Sequence, residues 1–268
     1  MSTSHAQFTG SIPELYDTHL GPMLFEPYAR DMAERVARLN ASSVLELACG
    51  TGIVTRRLLE ILPRDSHLLA TDLNEAMLDY ARPKFTKDAN VKFEAMDATR
   101  LTLPSDAFEV VVCQFGWMFF PDKLAAARES RRVLRPDGHL LFNVWDSFAE
   151  NPVCRIAHEM IGSFFESDPP DFYLTPFGFH DLAEIRTMLD NAGFNRVDAD
   201  TIVFTTESPS ANEAATGLIR GNPVVNAIHE RGTADAETIV RAVADALANE
   251  FGDRPMRAPI KAHVVVAS

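Results

Sequence analysis

The 268-residue sequence predicts an α/β protein whose centre is a mostly parallel sheet with helices on both faces. Three observations carry this. Short apolar runs alternate with amphipathic stretches over residues 41–146. The runs are nearly continuous in apolar character, as in strands buried on both sides. A glycine-bearing turn also joins the first run to the first amphipathic stretch.

Taken in order, Ser43 to Leu47 reads as the first strand, and Ile53 to Leu62 as a helix with Leu58, Leu59 and Leu62 on one face, stopped by Pro63. His67 to Thr71 is the second strand, followed by a helix from Glu75 to about Arg82. Val91 to Ala95 is the third strand and Phe108 to Gln114 the fourth. A helix over Leu124 to Leu134 leads to a turn at Pro136-Asp137-Gly138 and a fifth strand from His139 to Trp145. Beyond Trp145 the prolines and phenylalanines of residues 147–179 read as a helix and a long loop. His180 to Asn191 reads as a helix with Gly193 as its cap. Asn195 to Thr206 alternates as a strand, Pro209 to Asp253 is mostly helical, and Lys261 to Ala267 is a final strand. No Gly/Ser-rich linker divides the chain, so residues 1–268 read as one domain. Residues 1–40 form a lid, 41–146 the core, and 147–180 and 208–258 cap insertions.

The 38 acidic and 25 basic residues give a net charge of −13, which argues against nucleic acid, because phosphate binding needs clustered Lys and Arg. Three scattered cysteines suit neither a disulfide framework nor a metal site and fit a reducing cytoplasm. No apolar run approaches the ~20 residues of a membrane span, and the first residues lack signal-peptide character.

The chemistry concentrates in Val44-Leu45-Glu46-Leu47-Ala48-Cys49-Gly50-Thr51-Gly52. Small residues at 48, 50 and 52 let a ligand approach the backbone, and the turn leaves N–H groups free. Asp72, twenty residues beyond Gly52, stands at the end of the second strand, where a carboxylate can accept both hydroxyls of a ribose. Asp97 follows the third strand. Alone, such a turn can be purely structural. The third glycine of the dinucleotide fingerprint is absent, however, and Glu46 stands inside the motif. A pyrophosphate would be repelled by that carboxylate and an ammonium group attracted, which points from NAD toward a cationic nucleoside.

These segments resemble the class I S-adenosylmethionine-dependent methyltransferases, most nearly the small-molecule branch that includes ubiquinone/menaquinone C-methyltransferases. The resemblance is strong over residues 16–145. Residues 44–52 match the family's first motif, with Ala48 in place of the commonest first glycine. Ala70 to Asn74 match the second-strand motif, including Asp72 and Leu73, and Met77 would pack on the adenine. In Ala95-Met96-Asp97-Ala98, the Asp97 side chain would read the adenine amino group and the Ala98 N–H a ring nitrogen. Phe108 to Phe115 resemble the fourth-strand motif, whose end, Gln114 and Phe115, would lie beside the methionine moiety. Glu14 to Asp17 resemble the lid segment, with Tyr16 closing over the cofactor.

The family implies a Rossmann-like seven-stranded sheet with the last strand antiparallel between strands five and six. It also implies S-adenosylmethionine as cofactor, S-adenosylhomocysteine as product and no metal. Methyl transfer is an in-line displacement in which alignment supplies much of the rate, so no protein nucleophile is needed. A base is required only for some acceptors, and His19, Tyr28 and His180 are weighed for it; for each a cap or surface role is the stronger reading, and no catalytic residue is assigned. Trp117, Met118 and the phenylalanines of 164–179 would line a pocket for an apolar or aromatic acceptor, or simply pack. Gln114-Phe115-Gly116-Trp117 stands where base and glutamine N-methyltransferases carry Asn-Pro-Pro-Tyr. Two rival readings remain, a non-catalytic S-adenosylmethionine-binding or assembly protein and an NAD-linked oxidoreductase.

Overall fold

The computed structural model describes residues 8–232 and 234–268. Residues 1–7 of the expected lid and residue 233 of the expected second cap lie outside them. Seven strands form one sheet in the order β3-β2-β1-β4-β5-β7-β6: β1 (Ser43–Leu47), β2 (His67–Asp72), β3 (Val91–Ala95), β4 (Phe108–Gln114), β5 (Leu134–Trp145), β6 (Val197–Ser208) and β7 (Met256–Ala267). The first five are parallel, and β7 runs antiparallel to both β5 and β6. Val44, Leu45 and Leu47 of β1 and Val111, Val112 and Cys113 of β4 are fully buried, as the unbroken apolar runs require of central strands.

The helices are α1 (Ile12–Leu15), α2 (Glu26–Ala37), α3 (Ile53–Ile61), α4 (Glu75–Ala81), α5 (Lys123–Val133), α6 (Pro152–Gly162), α7 (Leu182–Ala192), α8 (Ala211–Arg220), α9 (Val224–Arg231) and α10 (Ala236–Phe251). Between α1 and α2 the lid segment, Tyr16–Phe25, winds as a π-helix with Gly21 and Pro22 inside it. Pro22 has no N–H to give an α-helical ladder, and wide-turn geometry of this kind concentrates at functional sites. α8 packs against the lid and α10 against α8 and α6, so the chain between β6 and β7 returns over the lid.

The ends of α7 follow the sequence. Asp181 accepts from the Ala183 N–H at 2.7 Å, and Gly193 closes the helix at φ 95°. Two boundaries differ by more than two residues from the sequence reading. β7 begins at Met256 rather than Lys261 and carries Pro259 inside it. Over 256–260, however, only β6 pairs with β7, and β5 joins only at Ala262, so one side of the strand at Pro259 needs no donor. Likewise the Pro136-Asp137-Gly138 turn does not precede β5 but bulges from within it. Leu134 already pairs with Phe108, and the register then jumps to Val110 against His139.

Candidate functional site

The strand ends of β1, β2, β3 and β4 converge on one cavity at the carboxyl edge of the sheet, the place where open α/β sheets bind ligands. It holds about 850 Å³, the open solvent at its mouth included. Of the residues singled out in the sequence, Tyr16, Ala48, Gly50, Asp72, Leu73, Met77, Asp97, Ala98, Gln114 and Phe115 line it. Glu46 and Cys49 line a small recess behind it, together with Gly50, Thr51 and Gln114. Gly52 does not face the cavity. At φ 83° it caps α3, and a Cβ there would lie 2.9 Å from the Phe85 ring on the far side of the turn.

Asp72 is held by the loops it organises. The Gly50 N–H donates to its Oδ2 and the Asn74 N–H to its Oδ1, both at 2.8 Å. Burial raises its pKa, and these two bonds oppose the rise. Each carboxylate oxygen retains a lone pair that a ribose hydroxyl can use. Asp97 uses Oδ1 to accept the Thr99 N–H at 2.8 Å and the Thr99 hydroxyl at 2.7 Å, which fixes the turn after β3. Leu73 projects from the cavity mouth with 67% of its surface exposed.

Glu46 is only 2% exposed and accepts the Thr55 hydroxyl at 2.6 Å. Burial pushes its pKa up to about 8, with the Thr55 bond working against the rise and the Asp72 charge adding to it. Burial in the recess thus favours the protonated form of Glu46. A cation delivered there would favour the ionised form. Beside it are two buried polar atoms with no hydrogen-bond partner, Gln114 Oε1 and Thr51 Oγ1. The Gln114 Nε2 donates to Phe25 O at 3.2 Å, tying the end of β4 to the lid. Thr51 carries no signal in the sequence beyond its place between two glycines. Orphaned polar atoms in a native site call for a ligand or water. An ammonium donor and a carboxylate or hydroxyl acceptor would satisfy all three groups, which is the chemistry of an α-amino acid.

A second cavity of about 470 Å³, again with open solvent included, lies on the other side of Tyr16 and Phe115. Phe8, Tyr16, Phe115 and Phe119 line both spaces. Tyr16 stacks on Phe25 at 4.7 Å, and Phe115 stacks on Trp145 at 3.7 Å with an interplanar angle of 7°. Phe115 takes φ 52°, unusual for a bulky residue, and its N–H donates to both the backbone and side-chain oxygens of Asn143 at 3.1 and 3.2 Å. Met118, Phe172, Tyr173 and Phe177 complete the apolar wall. Trp117 is instead buried against Phe142, and Phe164, Phe165 and Phe179 do not reach the cavity.

None of the three residues weighed as a base lines either cavity. Tyr28 is fully buried, and its hydroxyl donates to Ile202 O and Ile260 O. His180 Nδ1 sits 3.0 Å from Phe177 O. His19 packs where α8 crosses the lid, its Cβ 2.7 Å from the place a Gly217 side chain would occupy.

Residues 44–138 match the sequence family described as a methyltransferase domain. The ubiquinone/menaquinone biosynthesis C-methyltransferase UbiE of Proteus mirabilis is 30% identical over 167 residues, covering 58% of this chain and 66% of that one. Methyltransferase tpcH of Aspergillus fumigatus is 29% identical over 171 residues, 59% of each chain. Residues 44–138 thus carry a methyltransferase domain, and the chain is similar to the class I S-adenosylmethionine-dependent methyltransferases. Its cofactor is S-adenosylmethionine. The chain spans less than two thirds of the length of those two relatives. Among solved structures, the [4+2]-cyclase SpnF superposes with a TM-score of 0.60 at 16% identity, over 96% of this chain and 92% of that one. The methyltransferase fold thus also appears in a protein named for cyclisation, and fold alone does not fix the reaction.

Proposed function

We propose that this methyltransferase-family chain transfers the methyl group of S-adenosylmethionine to a small apolar or aromatic metabolite. The observation that carries this reading is the sharing of Phe8, Tyr16, Phe115 and Phe119 between a cavity that also presents Asp72, Asp97 and Gln114, suited to the donor, and one closed by further aromatic and aliphatic side chains, suited to an acceptor. In this reading Asp72 holds the ribose hydroxyls, and Asp97, Ala98 and Met77 surround the adenine. Glu46 and Gln114 receive the ammonium group, and Tyr16 covers the donor from the lid. The bound cofactor supplies an electrophilic methyl group on a sulfonium. The chain's own contribution is alignment across the Tyr16–Phe115 wall and exclusion of water, and well-oriented reactants gain about 7–11 kcal/mol from positioning. The UbiE likeness makes a quinol ring carbon the first acceptor to try, and the stacked aromatic walls suit a flat ring.

The second reading is donor binding without transfer. It is favoured by the ionisable groups of the apolar cavity, which are Tyr16, Tyr173 and Cys154 among the described residues. Burial pushes all three up, Cys154 to about 12, so none accepts a proton at neutral pH.

Thermal melting with S-adenosylhomocysteine and with NAD tests the donor. A ligand at about 100 times its Kd adds roughly 2.7 kcal/mol of stability. A rise with S-adenosylhomocysteine alone is expected, and a rise with NAD alone would overturn the reading. Asp72→Asn is expected to weaken S-adenosylhomocysteine by about tenfold or more in calorimetry, the scale of one hydrogen bond to a charged group. Labelled methyl donor incubated with quinol acceptors and a metabolite extract then separates transfer from binding, since only transfer labels a product.

A further inference from the structure

The short turn after α4 touches the donor site only from outside, yet it joins the parts that enclose it. Lys84 closes the 3-10 turn Arg82–Lys84. Its ammonium lies 2.6 Å from Asp17 Oδ1 in the lid and donates to Thr51 O, in the glycine turn, at 3.0 Å. The same ammonium lies 4.4 Å from the centre of the Tyr80 ring on α4. The next residue, Phe85, fills the space that any side chain at Gly52 would need. Asp17 follows Tyr16, whose ring lines both cavities. Thr51 follows Gly50, whose N–H donates to Asp72. Lys84 itself lies on the outer surface of the turn, beside Gly52 and Arg56.

We propose that Lys84 is a positioning residue for the donor, a latch that pins the π-helical lid and the first glycine turn to each other and so holds Tyr16 across the cavity mouth. The proposal rests on the donor reading above and adds the group that keeps the donor in. Lys84 and Asp17 keep 27% and 22% of their side-chain surface, so the pair is partly shielded and less weakened by salt than an exposed one. A lysine suits the place because one compact ammonium with three donors can serve a carboxylate, a carbonyl and a ring face at once. The lid has few alternative ties to the glycine turn. Gln114 Nε2 reaches Phe25 O at the lid's far end, and Gly21 lies against Ile53 at its middle.

The test uses Lys84→Met, Asp17→Asn, the double variant, Lys84→Arg, and Lys87→Met as a neighbouring exposed control. S-adenosylhomocysteine is the probe for dissociation rates, and hydrogen exchange over residues 16–25 is measured without ligand. Lys84→Met and Asp17→Asn should each speed dissociation by about tenfold, the scale of one partly buried charged contact. The double variant should lose no more than the worse single one. Lys84→Arg, which keeps the charge, should recover most of the loss. Lid exchange should rise in Lys84→Met and not in Lys87→Met. Unchanged lid exchange overturns the latch whatever the ligand does, and so does a double variant whose loss equals the product of the singles. A lower melting temperature with unchanged lid exchange and dissociation would make Lys84 merely structural. If the wild type binds no S-adenosylhomocysteine while lid exchange responds as stated, the donor reading fails and the lid contact stands.

Discussion

Gly116 and Ala48 press the turn after β4 against the turn after β1. A Cβ on Gly116 would lie 2.5 Å from the Ala48 Cβ and 2.8 Å from the Cys113 sulfur. Both residues line the donor cavity, so the two motifs that build it are shaped by mutual contact. Ala48 also sits at φ 52°, where an L side chain costs roughly 1–2 kcal/mol. The glycine at 116 is thus a steric necessity, while the alanine at 48 is a tolerated strain.

The pair gives a double-mutant cycle. Gly116→Ala is expected to destabilise by about 1–3 kcal/mol, the usual cost of overpacking, and to weaken S-adenosylhomocysteine. Ala48→Gly is expected to be neutral or slightly stabilising, because it relieves the left-handed backbone. The double variant should recover part of the loss and not all, since the Cys113 sulfur remains in the way. Urea unfolding of the four proteins checks this, and simple additivity would show that the two turns do not bear on each other.

Glu46 makes donor binding depend on pH. Its folded pKa, about 8, lies above its ordinary value of 4.5 because the carboxyl is buried. Between those values the folded, ligand-free protein holds a proton that the unfolded chain has released. The stability contributed is thus full below about 4.5 and falls as pH rises toward 8. A bound cation favours the carboxylate, so donor binding in that window releases a proton. S-adenosylmethionine affinity is expected to increase from pH 6 to 8, by at most about tenfold per unit. Glu46→Gln should flatten this dependence and lower affinity at pH 8. Calorimetry in buffers of different ionisation enthalpy counts the proton directly. An equally steep dependence in the variant would assign the titration elsewhere.

The parts of the site that share a strand end were legible from the sequence, because strand, turn and helix lengths fix their relation. Asp72 could be placed twenty residues beyond Gly52 by counting a helix and a strand. Gly52 shows the limit of that counting. A glycine in the motif looks like room for ligand, yet here the room is taken by Phe85, thirty-three residues later. Thr51 gave no sign, since only burial without a partner marks its hydroxyl. Lys84 and Asp17 meet only after α1, the lid and α4 have packed, and no local pattern carries such a contact. The full length of the β6–β7 pair is not legible in the sequence, because Pro259 speaks against a strand unless one edge is known to be free.

Tyr28 separates packing from chemistry. Its hydroxyl donates to Ile202 O on β6 and Ile260 O on β7, each at 3.1 Å, so it ties α2 across the two outer strands. Its ring stands edge-on to Phe115 at 5.3 Å and to Trp145 at 5.5 Å, supporting the apolar cavity from behind without entering it. Burial raises the phenol's pKa, so at neutral pH the group donates and does not accept a proton. Tyr28→Phe keeps the ring and removes one shared donor. Two buried carbonyls lose part of their satisfaction, and a stability loss of about 1–2 kcal/mol is expected. S-adenosylhomocysteine affinity and the rate of labelled methyl transfer should stay within about twofold, whereas loss of a general base costs about 100-fold or more. A rate loss of that size with unchanged donor affinity would place the hydroxyl in the reaction despite its position.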